Sequence, residues 1–201
     1  MIKVIAFDYG GVIELIEGGL MQQIADCLKV SKEEWMKAYF SLNHLCNLGK
    51  NSYEEVYTLA AKQVGASDAQ ISYMKNIMKE NRQTRALNQE LVKMIKDLKK
   101  KNYKIGLISN NYIGLRQELI DYKIIDLFDT IIVSSEVGYQ KPQPEIFEIL
   151  FKELGVKSDE VIFIDDSKPS LAGAENIGYL PILFKDNEQL KEELKELDIN
   201  L

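Results

Sequence analysis

The chain has 201 residues, 46% hydrophobic and 28% charged, enough for one well-formed core carrying a smaller inserted unit. Its 31 acidic and 25 basic residues leave a net charge of -6, which speaks against nucleic acid and anionic membranes as partners. The two cysteines, Cys27 and Cys46, fall in helical patterns and read as reduced thiols, and no apolar run approaches the roughly 20 residues that span a bilayer.

The opening run from Lys3 to Phe7 is short, apolar and β-branched, and ends in a turn at Asp8 and Gly10. It breaks too early for the hydrophobic region of a signal peptide, so a cytoplasmic protein is expected. As structure it reads as a buried parallel strand that delivers residues to a loop. From about Gly18 to Asn81 only helical periodicity follows, over a length that holds four helices. Ser31, Ser52 and Ser67 supply the start signals inside this stretch. Strand-like runs return at Tyr103 to Ser109, Thr130 to Ser135, Val161 to Asp166 and Tyr179 to Phe184. They alternate with amphipathic segments at Asn88 to Lys101 and Pro144 to Gly155. That alternation predicts an α/β fold, a Rossmann-like parallel sheet with helices on both faces, interrupted by an all-helical insertion. The expected division is a core of residues 1–17 and 82–201 and a helical cap of residues 18–81.

In an open parallel sheet, ligands bind beyond the carboxyl ends of the strands. The residues that follow the apolar runs are Asp8, Ser109 with Asn110, and the pair Asp165 and Asp166. Lys141, in the loop before the helix at Pro144, is a further candidate. Three carboxylates, a hydroxyl and an ammonium at one edge suit phosphoryl transfer, where spread negative charge must be approached by a nucleophile. A bare carboxylate would be repelled by that charge. Magnesium held by Asp8, Asp165 and Asp166 would offset the repulsion, Lys141 would neutralise more of it, and Ser109 would donate to phosphate oxygens. A carboxylate nucleophile would divide the displacement into two steps through an aspartyl phosphate.

FDYGGVI from Phe7, LISNN from Leu107, GYQKPQPEIF from Gly138 and VIFIDDS from Val161 resemble, in order and spacing, the four signature motifs of the haloacid dehalogenase superfamily. The helical insertion directly after the first motif is similar to that superfamily's most upstream type of cap. The combination of motifs looks closest to the sugar-1-phosphate phosphatase branch and to the phosphatase domain of soluble epoxide hydrolases. The resemblance implies Asp8 as nucleophile and metal ligand, with the Gly10 carbonyl as another ligand. It implies Ser109 and Lys141 as phosphate-binding catalytic residues, and Asp165 and Asp166 as magnesium holders, Asp166 more directly. Gly10, Gly11, Asn110 and Asn111 join as phosphate or substrate contacts. The expected partner is a small phosphorylated metabolite, met by a monomer or homodimer.

One position departs from the pattern. Most phosphatases of that superfamily place an acid–base aspartate two residues after the nucleophile, and here the residue is Gly10. General acid–base help is worth about 100-fold to 10,000-fold, so the expected substrate leaves easily or brings a proton donor from the cap or solvent. The same gap keeps two other activities open: hydrolytic dehalogenation of a 2-haloacid, and a catalytically weak protein that binds a phosphorylated ligand or a protein partner. The single histidine, His44, lies in the insertion beside Asn43 and Asn47 and reads first as a capping or surface residue, second as a substrate contact. Trp35, Tyr39 and Phe40 recur at helical spacing and read as bundle core.

Overall fold

The computed structural model describes residues 1–15 and 19–200. The first strand, β1 (Val4–Phe7), is buried along its whole length. Its side chains alternate between two cores, Ile5 and Phe7 on one face of the sheet and Val4 and Ala6 on the other, as the pleat requires. After the turn at Asp8 come the two-residue strand β2 (Glu14–Leu15) and four helices, α1 (Leu20–Leu28), α2 (Lys32–Asn47), α3 (Tyr53–Gln63) and α4 (Asp68–Thr84). The chain then returns through β3 (Ala86–Leu87), which pairs antiparallel with β2, and continues into α5 (Gln89–Lys100) and β4 (Lys104–Ser109). Next are α6 (Leu115–Asp121), β5 (Thr130–Val133), the one-turn α7 (Ser134–Val137) and α8 (Pro144–Leu154). The last elements are β6 (Val161–Asp165), the short α9 (Ala174–Ile177), β7 (Leu180–Leu183) and α10 (Asn187–Glu196).

The five main strands form one parallel sheet in the order β5-β4-β1-β6-β7. Helices cover both faces. Leu91, Ile95 and Leu98 of α5 and Leu190 and Leu194 of α10 pack on the side of Ile5 and Phe7, while Ile146, Phe147 and Leu150 of α8 pack on the side of Val4 and Ala6. Because every strand is parallel, all carboxyl ends share one edge. Because the chain builds outward from β1 first towards β5 and then towards β7, the strand order reverses at β1, where such sheets bind ligands.

The four helices between β2 and β3 have a core of their own, centred on Ile24, Trp35, Tyr57, Ala60 and Met74. Ser31, Ser52 and Ser67 each cap a helix by accepting from a backbone N–H, and the last two do so in full capping boxes with Glu55 and Gln70. The aromatic run in α2 divides. Trp35 is wholly buried, and Tyr39, one turn on, is partly buried against the same core. Phe40 is 53% exposed, contrary to its reading as core: neighbouring helical positions point about 100° apart and cannot share a face. The apolar run at Thr130 also stops short of Ser135, because Ser134 turns into α7 and holds the Asn111 N–H with its Oγ at 3.0 Å.

Trp35 sits among Tyr39 and Tyr57, with ring centroids 6.2 and 5.7 Å away. Trp35→Ala is expected to lower stability by about 3–5 kcal/mol through cavity formation, read from urea unfolding of the two proteins.

Candidate active site

Asp8 lies one residue beyond β1, pinned by its N–H donating to the Ile164 carbonyl of the neighbouring β6 at 2.8 Å. Asp165 ends β6 and Asp166 follows it. Pairing of β1 with β6 therefore brings carboxylates far apart in sequence to one point. Asp8, Asp165 and Asp166 each present an oxygen within 4.8 Å of the others. Lys141 reaches this point from the loop between α7 and α8. Its ammonium is 2.9 Å from Asp8 Oδ1 and donates to Asp165 Oδ2 at 2.5 Å, with the side chain only 1% exposed. Phe163, inside β6, lies with its ring centroid 5.1 Å from the same ammonium.

Backbone bracing fixes the lysine. Asn110 Nδ2 donates to the Lys141 carbonyl at 3.0 Å, and the Lys141 N–H donates to Asn110 Oδ1 at 2.7 Å. Asn110 thus ties the end of β4 to the lysine loop. Ser109 is the last residue of β4 and is buried beside β1. On the other side, the Ser167 N–H donates to Asp165 Oδ1 at 2.8 Å, so both oxygens of that carboxylate have partners.

Burial raises the Asp165 carboxyl to about 6, against the pull of Lys141. Burial also raises Asp166, and the charge of Asp8 adds to it. Burial works against the Lys141 ammonium, but Asp8 and Asp165 outweigh it and hold this lysine above the ordinary range. One ammonium thus faces three carboxyl groups. Asp8 Oδ1 is buried and has the Lys141 ammonium, 2.9 Å away, as its ion-pair partner, with no further hydrogen bond. A buried lone pair and three converging carboxyl groups facing a single ammonium fit a divalent cation of the magnesium type. Gly11, with φ +80°, passes so close to Asp166 that a Cβ there would overlap its carboxylate.

A cleft of about 1040 Å³ opens from Gly10, Asn110 and Asn111 towards the four helices. Tyr39, Phe40 and Tyr53 line it, as do Arg82, Arg85 and Tyr112. Glu14 also lines it, paired with Arg85 at 3.1 Å and accepting from Tyr9 at 3.3 Å. Burial lifts the Glu14 carboxyl, partly opposed by Arg85. His44 and Asn43 are not among the lining residues. His44 occupies the last turn of α2, where its carbonyl accepts from the Leu48 N–H, while Asn47 donates to Gln140 Oε1 at 3.1 Å beside the lysine loop. Glu14, Arg82 and Arg85 had no mark in the sequence beyond ordinary charge; only the return of α4 beside β2 brings them to the cleft.

The haloacid dehalogenase-like hydrolase model matches residues 21–183. The chain belongs to that family. Bifunctional epoxide hydrolase 2 of Rattus norvegicus is 24% identical over 218 residues, covering 98% of this chain and 39% of that protein. A glyceraldehyde 3-phosphate phosphatase of Methanothermobacter thermautotrophicus is 36% identical over 99 residues, 48% of this chain and 42% of its relative. The matched part is less than half of the length of either relative. Among solved structures, a family enzyme of Bacteroides thetaiotaomicron in complex with magnesium and inorganic phosphate has a TM-score of 0.68 at 20% identity, covering 94% of this chain and 99% of its own, a likeness of fold. Among the described residues, no helix is long and apolar enough to cross a membrane.

Removing the buried cation isolates the determinant of this cluster. Lys141→Met leaves Asp8 and Asp165 buried without their counter-charge and is expected to cost about 3–5 kcal/mol in urea unfolding. Magnesium in the buffer is expected to recover part of that loss.

Proposed function

We propose that this haloacid dehalogenase-like hydrolase is a magnesium-dependent phosphatase of small phosphorylated metabolites that works through a phosphorylated Asp8. The observation that carries the reading is the meeting of Asp8, Asp165 and Asp166 around the buried Lys141 ammonium. The phosphatase relative and the magnesium- and phosphate-bound structural relative lend support. A dehalogenase that dispenses with metal would gain nothing from three clustered carboxylates and would bear their repulsion.

Asp8, Asp165, Asp166 and the Gly10 carbonyl would hold the metal. When bound, the metal neutralises phosphoryl oxygens and lets an anionic nucleophile approach them. Lys141 neutralises Asp8 and the phosphoryl group together, which favours attack without protonating the nucleophile. Ser109, with the backbone N–H groups of Gly10 and Asn110, donates to the phosphoryl oxygens. An Asp8 carboxylate oxygen forms the new bond to phosphorus as the bond to the leaving oxygen breaks. Water then attacks phosphorus, releasing inorganic phosphate and restoring the carboxylate. Residues 18–81 would act as the cap whose side chains select the leaving group.

Gly10 has no side chain to protonate that leaving oxygen. The reading therefore favours leaving groups of low basicity, such as an anomeric or acyl oxygen. Asp8→Asn is expected to reduce turnover at least about 1000-fold, and thorough chelation to abolish it until magnesium is restored. Beryllium fluoride with magnesium is expected to form an adduct on Asp8, visible by fluorine NMR. A sugar 1-phosphate is expected to outpace the matching 6-phosphate. Equal activity in Asp8→Asn or undiminished activity after chelation would overturn the mechanism.

A further inference from the structure

One wall of the cleft is formed by α4, and its chemistry is uneven. Lys75, Lys79 and Arg82 line the cleft at spacing i, i+4, i+7, which sets them on one helical face. Arg85, the C-cap of the helix, extends the row to the β2–β3 ribbon and Glu14. Lys32, at the first position of α2, adds a fifth cation to the same cleft. Against these, Glu14 and Glu54 are the carboxylates among the lining residues. A molecule with a net charge of -6 thus concentrates positive charge on the path to its candidate active site.

The row is only partly neutralised. Lys75 pairs with Glu54 at 2.6 Å, Arg82 with Glu118 and Tyr112, and Arg85 with Glu14. Lys79 and Lys32 make no ion pair among the described residues. Arg82 and Arg85 are forked donors whose remaining N–H groups suit a planar carboxylate or a phosphate. The transferred phosphoryl group already has Lys141 and Ser109 deeper in the site, so the helix row is surplus to its needs.

We propose that the α4 row, Lys75, Lys79, Arg82 and Arg85, binds a second anionic group on the substrate, a carboxylate or a further phosphate on the part that leaves. The inference rests on the phosphatase reading for what happens to the first phosphate. It stands or falls by itself as a statement about binding. A neutral polyol phosphate would lose these contacts and bind more weakly. Because the row is half open to water, its attraction weakens with salt.

The experiment measures binding to the full-length Asp8→Asn protein with magnesium, by calorimetry at low salt, so that turnover does not enter. The probes are glycerol phosphate, 3-phosphoglycerate, and a bisphosphate of similar length. The two probes that carry a second anionic group are expected to bind about tenfold or more tighter than glycerol phosphate. Their relative order tells a carboxylate from a second phosphate. In the double variant Lys79→Gln, Arg82→Gln the advantage is expected to collapse, and in Arg82→Lys with Lys79 retained to survive in part. Far-UV circular dichroism establishes that both variants are folded. Equal binding of all three probes, or an advantage that persists in the double variant, would overturn the proposal. Beryllium fluoride trapping on wild-type protein separates this from the phosphatase reading: an adduct without any preference among probes would sink the cation row alone, and preference without an adduct would sink the phosphatase.

Discussion

The site turns on one ammonium group. Lys141 lies inside the protein at the point where three carboxylates converge, and no other cation is within ion-pairing distance of Asp8 or Asp165 among the described residues. Buried charge of that density is tolerable only if its counter-charge is fixed, because a lysine free to turn to water would leave the acids in mutual repulsion. The bracing by Asn110 and the packing of Phe163 are what fix it. Even then one ammonium faces three carboxyl groups, and the proposed metal site rests on that imbalance.

The sheet supplies the geometry that the lysine needs. Asp8 and Asp165 are separated by most of the chain, yet hydrogen bonding between β1 and β6 puts their positions side by side. Ser109 arrives by the same means through β4. Asp8, Ser109, Asp165 and Asp166 each sit at or one residue beyond a strand whose two faces are packed, while Lys141 comes from a loop held by Asn110. The four helices have a core of their own around Trp35, separate from the sheet's two.

Much of this was written plainly in the sequence. Apolar runs such as VIFIDD betray a strand because a central parallel strand is buried on both faces, and the polar residues that end them are legible as site candidates for the same reason. Serine caps were equally visible, since capping is a local interaction between residues three apart. The two-residue strands β2 and β3 were not visible: they are too short to show a period, and they exist because two distant segments meet. Arg82 and Arg85 carry no distinguishing sequence signal for a related reason. A cation on a helix reads as solvated unless one knows which face meets a cleft. His44 is the lone imidazole of the sequence, but its place in the last turn of α2 sets it outside the cleft lining.

The β2–β3 ribbon has a bearing on how such a molecule changes over time. Glu14 stands opposite Leu87 and Leu15 opposite Ala86, so the chain leaves the sheet domain and re-enters it at the same place. A tight turn joining Leu15 to Ala86 would close the backbone there without disturbing any strand of the sheet. The intervening helices are in that sense a removable module. The carboxyl edge of the sheet would keep its geometry whichever insertion entered through this two-residue doorway, and the insertion would set most of the lining of the cleft.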